Sequence, residues 1–355
     1  MAATLTLFVA LTMEYKLHAF PNSRTSHDMS SIGPLFGLAA FSLFGITPVY
    51  YKLLGDVPVV QVGLHRFAWT FVLTSILVVI LGQHKTFLAQ ALTRSNFVLY
   101  GLSASSLGGS TLLLVWAVHS DYILEVSLGA FLNPITFCLL GMVALKERLR
   151  RWQLVSVVLT AIGVGIFTVA YGRFPWVAML LSLSDGVYGL VKKRAPLTPL
   201  HGLVMESGIL FPFCIVGLIV LEVQGMGVFT HIDLQTDFLL AGTGVMTIVP
   251  LLLLVVALQK TPLYGIGLIS NVSPTIQFLL GVFVYHESCS TTTLVGFVFL
   301  WVSMIVFVTD SFFAMKQGAV QGDKLDEGER PTLDLESPRT PEIYTASTPT
   351  GPFKA

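Results

Sequence analysis

Long apolar runs follow one another almost without pause along this chain, and nothing else constrains its fold as strongly. Bounded by charge, Pro or Gly, they fall at about 32–54, 60–82, 97–119, 122–145, 152–172, 175–191, 200–221, 238–258, 263–285 and 293–313 of the 355 residues. A helix crossing the roughly 30 Å hydrocarbon core of a bilayer needs about 20 such residues, and its backbone must satisfy its own hydrogen bonds. The pattern therefore predicts an all-α integral membrane protein with ten transmembrane helices. Composition excludes a soluble alternative: 54% of the residues are hydrophobic and the mean hydropathy is +0.78. Only 24 of the 40 charged residues lie between 32 and 313, far below the roughly one quarter usual in soluble domains. With zero net charge, no bulk attraction to nucleic acid is implied. Cys138, Cys214 and Cys289 have no metal-ligand spacing, and neither a metal nor a cofactor is expected.

Lys and Arg near the run ends set the expected orientation, because cytoplasmic loops carry the excess. One side collects 12, including Lys85, Arg94, Lys146, Arg148, Arg150, Arg151, the Lys192–Arg194 triplet and Lys260, against Lys52 and Arg173 on the other. Both termini are expected in the cytoplasm. Residues 1–31 read as a disordered or weakly amphipathic arm, since a signal peptide would need basic residues before its apolar run. The tail from 314 is Pro, Glu and Thr rich and reads as disordered, with Ser337-Pro338, Thr340-Pro341 and Thr348-Pro349 as candidate phosphorylation sites.

Sliding the chain against itself by 140 residues gives a gapless match. Pro134, Leu139, Leu140, Gly141 and Glu147 meet Pro274, Leu279, Leu280, Gly281 and Glu287, and Lys52 meets Lys192. Each copy holds five spans, an odd number, so the second must cross in the opposite sense. The domains expected are an arm (1–31), a first repeat (32–172), a second, inverted repeat (173–313) and the tail (314–355). Inverted repeats are the architecture of alternating-access carriers, whose site lies near the midplane between the halves.

Polar residues inside the spans are then the site candidates, because an ionised group there costs roughly 2.5–3.5 kcal/mol unless it faces protein or water. Arg66 and Glu206 are repeat equivalents, each roughly 9 Å into its span. Glu125 is the expected partner of Arg66, and Lys192 or Lys193 that of Glu206, either as gate contacts or as static packing bridges. Asp185 falls near the midplane, where an isolated charge is most costly. It is the candidate for proton coupling or for binding a cationic or amine-bearing substrate; otherwise it is a carboxyl bonded to Ser184 or to a neighbouring helix. Asn133-Pro134 and Ser273-Pro274 interrupt the fourth and ninth spans, because Pro cannot donate to the carbonyls of Ala130 and Ser270. Such irregular backbone either lines a cavity or is a kink satisfied by neighbours. Glu147 and Glu287, at span ends, read as structural.

Phe44 to Lys52, His65-Arg66, Val115 to Val118, Asn133-Pro134, Lys146 to Arg151, Tyr188 to Lys193, Val249 to Leu251, and Ser273-Pro274-Thr275 running to Glu287 together resemble RarD-type proteins. These form part of the EamA group of the drug/metabolite transporter superfamily. The resemblance covers about 32–313 and implies a ten-helix carrier with a central cavity lined mainly by its first, third, fourth, sixth, eighth and ninth helices. It places His65, Ser110, Ser270 and Asn271 beside Arg66, Glu125, Asn133, Pro134, Asp185, Glu206 and Pro274 as candidates for substrate binding or gating. Where the family carries bulky aromatics, this chain has Ser110-Thr111, Ala130 and Ser270-Asn271.

A secondary-active transporter of a small metabolite or drug-like molecule is the expected function, with the bilayer and a coupling proton as partners. The alternative is a multi-span receptor or scaffold signalling through its phosphorylatable tail, though sensing alone needs no inverted second copy. An intramembrane enzyme is not expected: the chain has no HExxH, paired-aspartate or Gly-x-Ser-x-Gly motif.

Overall fold

In a computed structural model, residues 32–55, 57–91, 93–120, 122–286 and 291–328 are described. The regular elements among them are all helical: α1 (Ile32–Lys52), α2 (Val59–Ile80), a short α3 (His84–Ala91), α4 (Arg94–His119), α5 (Ile123–Ala144), α6 (Arg151–Tyr171), α7 (Trp176–Arg194), α8 (Pro199–Val223), α9 (Leu234–Lys260), α10 (Leu263–Ser270), α11 (Val272–Leu279) and α12 (Thr291–Gly328), with a π-helical turn Leu280–Val284 after α11. The chain divides at Phe313 into a main unit and a second unit that starts at Ala314. In that second unit the described residues, 314–328, are helical. The arm 1–31, Glu287 and the phosphorylation motifs lie outside the described residues.

Among the described residues, seven segments are long and apolar enough to cross a bilayer: α1, α2, α4, α6, α8, α9 and the stretch Leu263–Val284, with shorter apolar helices at Leu128–Ala144 and Leu294–Asp310. The expected sixth span forms as α7, and polar residues keep it out of this set, since it carries Asp185 and ends in Lys192, Lys193 and Arg194. Long exposed apolar faces, such as Val216, Ile219 and Val223 on α8, are what hydrocarbon contact requires. The chain is an integral multi-pass membrane protein.

Without a hydrophobic drive between helices in lipid, close packing and interhelical hydrogen bonds must hold them. Small residues supply the first: Gly189 of α7 sits on the Phe137 ring of α5, and Gly37 of α1 faces Ala257 of α9 and Ile266 of α10. Hydroxyls supply the second, as where Thr160 of α6 and Ser303 of α12 share a 2.7 Å bond. The tightest neighbours are α5 with α7, α1 with α9, α2 with α8 and α9, α4 with α7, and α5 with α10.

The two prolines act differently. α5 runs continuously through Pro134. The ninth span instead breaks at Asn271, between α10 and α11, three residues before Pro274, and loosens again in the π turn. A single unpartnered carbonyl is tolerated in one helix, while the second copy adds a polar residue at the weak point.

Candidate functional site

α7 organises the polar interior. Asp185, Tyr188 and Lys192 stand three and four residues apart, a spacing that stacks them on one helix face. Asn133, in mid-α5, donates from Nδ2 to Asp185 Oδ2 at 3.0 Å, so two candidates far apart in sequence meet. Arg66 is near enough for its charge to act on both Asp185 and Tyr188, while its own Nε donates to Thr247 Oγ1 at 2.9 Å. Among the described residues, the Asn133 Oδ1 and the Tyr188 hydroxyl are buried without a hydrogen-bond partner. A carboxylate, a guanidinium and two unspent polar atoms thus converge from α2, α5 and α7. Such a constellation fits a polar ligand group better than a finished structural network, because a buried polar atom left unsatisfied is costly.

One turn along α7, Lys192 Nζ lies 2.7 Å from Glu206 Oε1, with side chains 1% and 0% exposed. Of the two lysines expected for Glu206, the structure selects Lys192. The Ser103 hydroxyl donates to the same oxygen, Tyr100 and Tyr188 present their rings to the ammonium at 5.1 and 5.6 Å, and the Tyr100 hydroxyl accepts from the Leu197 N–H at 3.1 Å. Glu206 Oε2 has no partner among the described residues.

The end of the molecule beyond this pair gathers the basic residues. Lys193 Nζ donates to the carbonyls of Thr261 (2.5 Å) and Leu258 (3.3 Å) and faces Glu147 Oε1 at 3.6 Å. Arg194 donates to the Ala144 carbonyl at 2.9 Å. The two oxygens of Glu147 accept from the Leu263 and Tyr264 N–H groups, at 2.8 and 3.2 Å, filling free donors at the start of α10.

At the opposite end, Glu125 does the same for α7, accepting from the Val177 N–H at 2.8 Å. The partner expected of Glu125 is Arg66, but the structure joins Arg66 to Thr247 and Glu125 to the start of α7. The reason is local: four free N–H groups at a helix start compete well for a carboxylate. Trp116, Tyr122 and Trp176 stack beside this contact, 5.4–5.7 Å apart. Lys52 lies 3.0 Å from the centre of the Tyr285 ring, and the Tyr50 hydroxyl donates to the Leu239 carbonyl at 2.6 Å. His65 is 6% exposed and packs on Phe229 at 5.3 Å.

The remaining candidates are dispersed. Ser110 donates to the Leu107 carbonyl of its own helix at 3.1 Å and Ser270 to that of Gly267 at 2.6 Å. Pro134 backs onto Gly267, and Pro274 is buried. Asn271 is 1% exposed with both amide atoms unpartnered among the described residues. Sequence reasoning missed Ser103, Tyr100 and Thr247, which are ordinary polar residues in apolar helices; it read Arg194 only as a marker of sidedness and Lys193 as an alternative partner of Glu206.

Three relatives decide the family. An uncharacterized transporter of Vibrio cholerae is 34% identical, the match covering 79% of this chain and 93% of that protein. The uncharacterized transporter YojE of Bacillus subtilis is 36% identical over 79% and 95% of the two chains. Protein RarD of Escherichia coli is 33% identical over 80% and 96%. This chain belongs to the RarD group. The RarD group falls among the drug/metabolite transporters, so this RarD-group chain is a membrane transporter. No family model matches it. A crystal structure aligns at TM-score 0.61 with 16% identity, covering 79% of this chain and 98% of its own, which bears on the fold alone. Each of these relatives is matched over nearly its whole length, and each match spans about 80% of this RarD-group chain.

Proposed function

We infer that the chain is a secondary-active carrier of a small metabolite or drug-like molecule, working by alternating access between two inverted five-helix repeats, 32–172 and 173–313, with both termini cytoplasmic. One observation carries this reading: three helix starts recur at an offset of 140, Val59 with Pro199, Arg94 with Leu234 and Ile123 with Leu263. Packing follows the same offset, α5 lying on α7 as α10 and α11 lie on α1. Lys146 and His286, also 140 apart, share a left-handed backbone at φ 56° and 54°, although non-Gly residues rarely adopt it. Two copies of one bundle crossing in opposite senses can exchange conformations, and that exchange moves a central site from one face to the other. Asp185, Asn133 and Arg66 form the ligand-contacting group, and Asp185 is the coupling or amine-binding carboxyl.

Counterflow in vesicles reconstituted with the full chain tests the reading. A carrier accelerates uptake of labelled substrate against preloaded unlabelled substrate, and a receptor or scaffold does not. Sidedness is tested by cysteines at Thr86 and Thr198, expected to label from the cytoplasm, and at Gln235, expected to label from the other face. Labelling of Thr198 and Gln235 from the same face overturns the inverted arrangement.

A further inference from the structure

We propose that Lys193 is a tethered cation occupying an oxygen-lined cation site, and that this ammonium seals the basic end of the bundle where another carrier could use a free ion. The inference rests on the alternating-access reading above. Three oxygens surround Nζ: the carbonyls of Leu258 and Thr261 at 3.3 and 2.5 Å and Glu147 Oε1 at 3.6 Å. An ammonium has three donors and no acceptor, so the set matches its capacity. The oxygens come from different places. Leu258 is in the last turn of α9, whose free carbonyls carry the negative end of the helix dipole, and Thr261 follows it directly. Glu147 follows α5 and is held by the first N–H groups of α10. Carbonyls at a helix C-terminus plus one carboxylate are the donor set by which carriers hold a small hard cation.

The neighbours of Lys193 show that the ammonium is placed there by design of the sequence. Lys192, Lys193 and Arg194 project about 100° apart around α7, and each engages a different element: Glu206 of α8, the α9 terminus with Glu147, and the Ala144 carbonyl of α5. Any motion that parts α7 from α9 at this end must withdraw the ammonium from its cage. The repeat equivalent of Lys193 is Leu53, which is 62% exposed, so the device has no copy at the other end. A free ion would leave with opening and couple its gradient to the cycle. A tethered one returns on closing, and this step then needs no external ion.

The test uses the full chain in liposomes, with Cys138, Cys214 and Cys289 replaced by Ala and a reporter cysteine at Val191, which is 7% exposed. Lys193→Met keeps the apolar stem and removes the charge. In N-methylglucamine chloride it is expected to raise maleimide labelling of the reporter roughly ten- to a hundredfold, and methylammonium or Na⁺ is expected to reverse most of that rise. Lys193→Arg is expected to label slowly without added cation. Labelling unchanged by Lys193→Met overturns the proposal, as does a rise that neither cation lowers, which makes Lys193 a packing strut. Where Lys193→Met lowers the melting temperature so far that labelling cannot be read, cation-dependent recovery of that temperature supports the site and its absence overturns it. Wild-type counterflow in the same liposomes reports separately on the transport reading, so either can fail alone.

Discussion

The two ends of the bundle are held by different chemistry. At the basic end three consecutive cations of α7 are fixed by Glu206, Glu147 and helix-end carbonyls, and they bind α7 to α5, α8 and α9 at once. At the other end the ties are a capping carboxylate, ring contacts and single hydrogen bonds. Glu125 and the stacked rings of Trp116, Tyr122 and Trp176 join α4, α5 and α7, while Tyr50 and Lys52 join α1 to α9 and to Tyr285. Buried charge pairs are costly to part and therefore act as all-or-none locks, whereas ring stacks and caps slide and reform at small cost. On the alternating-access reading proposed above, the locked end is the closed one, and its lock is the element the cycle must break.

The largest effect on this contrast comes from breaking the buried pair. Glu206→Ala leaves Lys192 charged at 1% exposure beside two tyrosine rings, and removing one partner of a buried pair costs about 3–5 kcal/mol. Thermal unfolding in detergent should show that loss for Glu206→Ala and for Lys192→Ala. Replacing both at once, Lys192→Met with Glu206→Leu, should recover most of it, because the isolated charge is gone. A double variant as unstable as either single one would show that the pair is not what stabilises this end.

Next is the comparison of the two capping glutamates. Glu147 satisfies two N–H groups and faces Lys193; Glu125 satisfies the Val177 N–H. Charge-assisted hydrogen bonds contribute roughly 1.5–3 kcal/mol each, so Glu147→Ala and Glu125→Ala should each destabilise by at least about 1.5 kcal/mol. A loss under about 0.5 kcal/mol in either variant would remove that carboxylate from the ties that hold its end.

Much of this was legible in the sequence, and what was not has a physical cause. The positions of the helices followed from apolar runs, and the Asp185 anomaly stood out because a carboxyl ten residues into an apolar helix has no route to water. Sequence spacing also confined Glu206 to a partner among the lysines of α7, since both groups lie near the same end of adjacent helices. The contacts of Arg66 were beyond reach: they depend on the rotation of α2 and α9 about their axes, which near-uniform hydrophobicity leaves undetermined. The break at Asn271 falls where Pro274 fails to donate to the Ser270 carbonyl; that the equivalent Pro134 leaves α5 continuous depends on packing that the sequence does not state. The cage around Lys193 escaped notice because backbone carbonyls form two of its three ligands, and carbonyls have no sequence signature.

A third effect separates the site from the locks. Asp185→Asn keeps the volume and a hydrogen bond to Asn133 but removes the charge that faces Arg66. Stability should change by under about 1 kcal/mol, while counterflow loses its dependence on pH or its preference for charged substrates. Wild-type pH dependence and selectivity in this variant would remove Asp185 from the coupling step. Asn133→Ala, which leaves the carboxyl without that donor, should shift the substrate's apparent affinity more than the maximal rate if Asn133 orients the ligand-contacting group.

The smallest effect belongs to the sliding end, at the N-terminus of α9. Asp233 is the residue before the first turn of α9 and accepts from the Thr236 N–H at 2.6 Å; hydrogen bonding from the Thr236 side chain, and then from this N–H, holds its carboxyl below the usual carboxylate range. A carboxyl whose pKa is lowered on folding stabilises the fold at pH values above its unfolded pKa, and the contribution fades as pH falls through the folded one. The contribution is therefore present at pH 7 and lost in strongly acidic solution. Because the group is fully exposed, water and salt screen most of it. Asp233→Ala should lower the melting temperature slightly at pH 7 and by less near pH 3, and Asp233→Ser, which retains a capping oxygen without the charge, should lie between wild type and Asp233→Ala at pH 7. A deficit in Asp233→Ala that stays constant from pH 7 to pH 3 would mean that its carboxylate does not stabilise this end, which would then rest on aromatic and backbone contacts alone.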